Sequence, residues 1–129
     1  MNKAFTIIEL LFVIVIISIL VMISYPRLTG ITNKAYDTNI QSSAGTFRNL
    51  MNMFYQDNNK YPSDTYDFIE IKDNILSEYG QLGDIKEVLD SHSYTVNNES
   101  DPKFYKLQLI SSKSDKTYII TPDNVKTTE

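Results

Sequence analysis

The chain has 129 residues, 12 Lys and Arg against 16 Asp and Glu, a formal net charge of −4, and neither cysteine nor tryptophan. That length fits one modest domain. The lack of cysteine excludes disulfide staples, thiol catalysis and cysteine metal sites, and the acidic balance argues against general nucleic-acid binding.

The first element is an apolar run. From Phe5 to Ile23 there are 19 residues, of which only Thr6, Glu9 and Ser18 are not apolar. A hydrocarbon core of roughly 30 Å needs about 20 apolar residues in a helix, so the run is long enough to span. It continues past the 7–15 residues typical of a cleaved secretory signal, and no small-x-small site follows before Ser24, Tyr25, Pro26 and Arg27. Charge does not orient it: Lys3 precedes the run, while Arg27 and Lys34 follow it.

Glu9 is the informative residue. A carboxylate inside a spanning helix costs about 2.5–3.5 kcal/mol on insertion scales. Two readings are open. Glu9 lies about one turn into the run, where its carboxylate can reach the interface. Alternatively, it is a charge that finds its partner in an assembled state.

The run Ala4-Phe5-Thr6-Ile7-Ile8-Glu9-Leu10-Leu11, followed by Val13-Ile14-Val15-Ile16-Ile17, resembles the class III signal of type IV prepilins and type II secretion pseudopilins. The resemblance implies cleavage by prepilin peptidase between Ala4 and Phe5, and N-methylation of Phe5. It makes Glu9 the fifth mature residue and an assembly residue that pairs with the Phe5 amine of a neighbouring subunit. Thr6 matches the usual second residue. Ala4 departs from the glycine most often found before the cleavage point, but it is also small. The implied leader, Met1 to Ala4, is short; its loss changes the charge from −4 to −5, because Lys3 is its only charged side chain. Pro26 stands where many pilins carry a helix-softening proline. Lacking an N–H, it either kinks a continuous helix or ends the span ahead of a new one.

Beyond Pro26, Ile40, Ala44, Phe47, Met51 and Phe54 recur at steps of four and three, with Leu50 beside them, which predicts an amphipathic helix to about Asp57. A single helix over Phe5–Asp57 would hold 53 residues and measure about 80 Å. Asp57-Asn58-Asn59-Lys60-Tyr61-Pro62 supplies its stop. Asp67 and Glu70 have capping-box spacing ahead of an apolar face of Phe68, Ile71, Ile75 and Tyr79, which ends at Gly80. A second short helical piece is expected over 84–89. Three strand-like runs follow: 93–97, 104–110 and 117–121. In the middle run Phe104, Lys106, Gln108 and Ile110 alternate with Tyr105, Leu107 and Leu109.

Together these predict an α+β, pilin-like fold: a long N-terminal helix, membrane-spanning in its first half, packed on a small antiparallel sheet of about three strands. The implied divisions are a leader (1–4), a transmembrane and assembly helix (5–24), its amphipathic continuation (25–57) and a globular head (58–129).

Catalytic signals are absent from this pattern. His92 is the only histidine and is expected in a loop. Asp123 and Asn124 resemble polar loops that bind calcium in some secretion pseudopilins, but calcium takes six to eight oxygens, and Asp84, Asp90, Asp101, Asp115 and Asp123 are scattered. No cofactor or metal is expected. Asn98-Glu99-Ser100 matches a glycosylation sequon, a short pattern common by chance.

The function implied by the resemblance is a non-enzymatic structural subunit of a type IV pilus or type II secretion pseudopilus. It would sit in the inner membrane with its head outside the cytoplasm until polymerised. Its partners would be other pilin subunits, prepilin peptidase, and an assembly ATPase with its inner-membrane platform. A membrane-anchored binding module that captures substrate or DNA without polymerising is the alternative from another class.

Overall fold

The computed structural model describes residues 5–83, 85 and 88–129. The chain divides into two compact units, one ending at Lys34 and the other comprising Ala35–Glu129. Helix α1, Ile7–Asn58, has 52 residues and contributes to both.

In the first unit the described residues from Ile7 onward are helix. An 18-residue window of α1 has a mean hydropathy of 3.1, long and apolar enough to cross a membrane, and none of it is buried within the chain. Leu10, Phe12, Ile14, Ile17, Leu20 and Ile23 are exposed all round the helix, as expected of side chains whose solvent is lipid. The helix passes through Pro26 without a break in its assignment.

In the second unit α1 becomes one-sided. Ile40, Ala44, Phe47, Leu50 and Met51 are buried and Phe54 is partly buried, so the expected stripe forms the core face. The helix ends where Asn59 adopts a left-handed φ of 55°, a conformation asparagine tolerates. The Lys103 ammonium donates to the Asn59 carbonyl, sits 5.7 Å from the Tyr55 ring centroid and pairs with Asp101 at 3.2 Å. A cation thus meets the negative end of the helix.

After the turn through Tyr61 and Pro62, Asp67 caps a short helix α2, Phe68–Glu70. The Asp67 carboxylate accepts from the Glu70 N–H at 2.8 Å, and the Glu70 carboxylate accepts from the Asp67 N–H at 3.2 Å. The chain continues as a π turn over Ile71–Ile75 and a 3₁₀ turn over Leu76–Glu78. Gly80 lies close against α1: a Cβ there would stand 2.9 Å from a Leu50 methyl, which would have to shift.

Four strands form an antiparallel meander in the order β1-β2-β3-β4: β1 Leu89–Val96, β2 Tyr105–Ser111, β3 Thr117–Ile120 and β4 Val125–Thr128. Tyr94, Leu107, Ile120 and Val125 lie in register across it. The alternation read in β2 holds, with Tyr105, Leu107 and Leu109 buried.

Three expectations need correction. Among the described residues there are four strands, not about three; β4 carries one aliphatic residue, Val125, and is otherwise polar, as suits an edge strand. β1 begins at Leu89, so the 84–89 helical piece does not extend to its expected end. Asp84, Lys86 and Glu87 lie outside the described residues, and one turn closed by the Val88 N–H on the Ile85 carbonyl, 3.1 Å, precedes the strand. His92 lies within β1, not in a loop, with its ring 5.6 Å from that of Phe68.

Helix and sheet meet through aromatic rings. Phe47 packs against Phe68 at 5.6 Å and edge-on to Tyr105 at 6.0 Å, and Tyr105 in turn contacts Tyr61 at 4.8 Å. Such offset and edge-to-face pairs add to what area burial contributes. Burial pushes the phenols of Tyr94 and Tyr105 up, keeping both neutral. The Tyr94 hydroxyl donates to the Pro62 carbonyl at 2.8 Å.

At the start of this unit, Asp37 on α1 holds the β2–β3 hairpin. Its carboxylate accepts from Lys116 Nζ at 2.8 Å and from the Ser114 hydroxyl, and Lys113 lies 5.8 Å from the Tyr36 ring centroid. Burial pushes the Asp37 carboxyl up, but the hydrogen bonds from Lys116 and Ser114 outweigh it, so its pKa falls below the ordinary value. Burial, and then the negative charge of Asp37, push the Tyr118 phenol up to about 12.

Two outcomes follow from this packing. Phe47→Ala should cost about 3–5 kcal/mol, the usual loss for a buried aromatic, measured by urea unfolding followed through tyrosine near-UV circular dichroism. A carboxyl with a depressed folded pKa contributes stability above its unfolded pKa, about 3.9, and loses it as pH falls through the folded value. The urea midpoint should therefore fall below about pH 4, and Asp37→Asn should flatten that part of the profile while lowering the midpoint at neutral pH.

Candidate functional site

The three polar residues of the apolar run decide how it tolerates lipid. Ser18 donates its hydroxyl to the Ile14 carbonyl at 2.7 Å, and Ser24, just beyond the run, donates to the Leu20 carbonyl at 2.8 Å. Each hydroxyl is satisfied inside its own helix, as a lipid environment demands.

Thr6 and Glu9 form a reciprocal pair at the head of α1. The Glu9 N–H donates to Thr6 Oγ1 at 3.3 Å. In return, Glu9 Oε2 accepts from the Thr6 N–H at 3.0 Å and from the Thr6 hydroxyl at 2.9 Å. The Leu10 N–H closes the first turn on the Thr6 carbonyl at 3.2 Å. This is a capping box: the threonine cap and the glutamate three residues on satisfy one another's orphan donors. A negative charge at this end also suits the helix dipole. Both Thr6 donors go to Oε2, and among the described residues no donor reaches Oε1. Phe5 precedes the helix, is 79% exposed, and borders a shallow groove with Ile8, Glu9, Phe12 and Val13.

Residues 1–25 match the family described as the prokaryotic N-terminal methylation motif. The chain carries the class III signal characteristic of type IV pilins and pseudopilins. No curated protein and no solved structure matches the chain.

Within the matched segment the expected assembly residues Thr6 and Glu9 are in direct contact, and Phe5 stands beside them. Ala4, and with it the expected cleavage point, lies outside the described residues. Pro26 is an exposed residue within α1, twenty positions beyond Thr6. The capping role of Thr6 was not among the sequence expectations. Its signal was present as Thr6-x-x-Glu9, the spacing recognised at Asp67-x-x-Glu70.

The polar residues of the second unit do not converge in the same way. Among the described residues no three of His, Asp and Glu come together as a metal-holding group. Asn124 lies in the β3–β4 turn, where its carbonyl accepts from the Thr121 N–H at 2.9 Å and its N–H donates to Thr121 Oγ1 at 3.3 Å.

Thr6→Ala removes one hydroxyl partner from each side of the box. Losing an N-cap costs about 1 kcal/mol, so the Glu9 amide should exchange about fivefold faster. Amide hydrogen exchange of the micelle-bound N-terminal segment measures this, and Thr6→Ser should restore the slow rate.

Proposed function

We propose that the chain is a structural subunit of a type IV pilus or type II secretion pseudopilus, processed by prepilin peptidase and polymerised through the apolar half of α1. The observation that carries this reading is the coincidence of the class III signal over residues 1–25 with a lipid-suited helix whose one acid, Glu9, stands at its start. Cleavage between Ala4 and Phe5 would create a cation at Phe5, which the same enzyme then methylates. Methylation of an amine keeps its charge.

In the inner membrane, with the head outside the cytoplasm, the Thr6 box lowers the cost of carrying Glu9. It supplies two donors to the carboxylate without any partner subunit. In the filament the Phe5 amine of a neighbour would meet the open Oε1. At low dielectric a charge-assisted hydrogen bond is among the stronger contacts available. It would set the axial stagger of the helices, while the surrounding Ile, Leu, Val and Phe side chains supply the area of the bundle. An assembly ATPase and its membrane platform would drive extraction of the subunit from the bilayer. Pro26 would soften α1 near the membrane exit, because residue 26 can donate no backbone hydrogen bond.

Co-expression with prepilin peptidase should yield a product that starts at Phe5 and bears one N-methyl group, read by N-terminal mass spectrometry. Glu9→Leu should leave membrane insertion and cleavage intact and reduce filament yield at least tenfold in sheared-fibre fractions. Normal filaments from Glu9→Leu would sink the pairing, and a product that keeps residues 1–4 would remove the basis of the filament reading.

A further inference from the structure

Between β1 and β2, residues 97–104 form an exposed loop. Its base is closed by the Asn97 N–H on the Phe104 carbonyl at 3.1 Å, and the Asn97 side-chain oxygen accepts from the N–H groups of Lys103 and Phe104, both at 3.1 Å. Lys103 anchors the far side through Asn59, Asp101 and Tyr55. The loop is thus held at its base, while Asn98, Glu99, Ser100 and Asp101 at its tip are all exposed.

Of the asparagines in the chain, only Asn98 heads an Asn-x-Ser or Asn-x-Thr triplet, and neither Glu99 nor Asp101, which flank Ser100, is proline. Asn98 already holds a turn of its own: its side-chain oxygen accepts from the Ser100 N–H at 3.1 Å. That contact polarises the carboxamide through its oxygen, and the side chain stays exposed. Among the described residues nothing engages Asn98 Nδ2 or the Ser100 hydroxyl. Glu99 also borders a shallow groove with Tyr66, whose ring is exposed.

We propose that Asn98 is an N-glycosylation acceptor, modified on the exported head by a glycan from a lipid-linked glycosyl pyrophosphate. The placement rests on the reading above, in which the head lies outside the cytoplasm, where activated sugars are carried by lipid. The sequon triplet is the unit such transferases read. In the reaction a bond forms between Asn98 Nδ2 and the anomeric carbon, and the anomeric carbon–oxygen bond to pyrophosphate breaks. Nδ2 loses one proton to a base of the transferase, and the lipid pyrophosphate departs with the bonding pair. No oxidation state changes.

The test is peptide mass spectrometry of the full-length protein purified from the membranes of its native cells. In wild type, the tryptic peptide of residues 87–103 should carry one or more sugar residues at Asn98, and enzymatic amide-linked deglycosylation should leave aspartate there. Asn98→Gln and Ser100→Ala should abolish the adduct, and Ser100→Thr should retain it. An unmodified wild-type peptide, a sugar on another residue, or an adduct that survives Asn98→Gln would each overturn the proposal. The N-terminal peptide of the same sample reads out processing separately: a glycosylated chain that keeps residues 1–4 would count against the filament reading alone.

Discussion

The head depends on one contact surface, where the stripe of Ile40, Ala44, Phe47, Leu50 and Met51 on α1 meets the inner face of the meander. Each of these side chains is buried, and with cysteine absent no covalent staple supplements them. A domain of fewer than a hundred residues has little apolar area to spare. The aromatic chain from Phe68 through Phe47 and Tyr105 to Tyr61 and Tyr94 concentrates that area in a few large, stiff side chains. The polar contacts at the periphery then secure connections between elements: Lys103 at the end of α1, Asp37 on the β2–β3 hairpin and Tyr94 on Pro62.

The first half of α1 obeys the opposite rule. Its large apolar side chains are exposed, and the described polar groups of the apolar run close on the helix backbone or on each other. Ser18 and Ser24 bond one turn back, and Thr6 and Glu9 bond each other. A helix apolar enough to cross a membrane gains from donors that are satisfied within it. Among the described residues no donor reaches the second oxygen of Glu9, and an assembly contact can use it.

How much of this was legible varies by element for identifiable reasons. The core face of α1 and the inner face of β2 were readable because their periods of 3.6 and 2 run without interruption. The Asp67–Glu70 box was readable because a turn precedes it. The identical spacing at Thr6–Glu9 was masked by the apolar run, where attention goes to the cost of the charge rather than to its local partner. β4 was missed because Val125-Lys126-Thr127-Thr128 has almost no apolar signal. The turn before it, Thr121-Pro122-Asp123-Asn124, is nonetheless a good hairpin connector by composition. Leu89 was assigned to a helical piece by its neighbours, yet it pairs with Ser111 ahead of an irregularity in the ladder, a long-range contact that local pattern does not contain.

By itself the sequence determined the membrane-suited run, the class III signal, the amphipathic stripe and most of the strands. Each of these is a local property: hydrophobicity and periodicity are written in consecutive residues. Only the tertiary structure decided that Thr6 shares Glu9's carboxylate and leaves one oxygen open. It alone placed His92 in a strand, extended the sheet to a fourth strand and set Asn98 at the tip of an anchored loop. Those features depend on donor–acceptor geometry and on pairings between distant residues, which spacing along the chain does not specify.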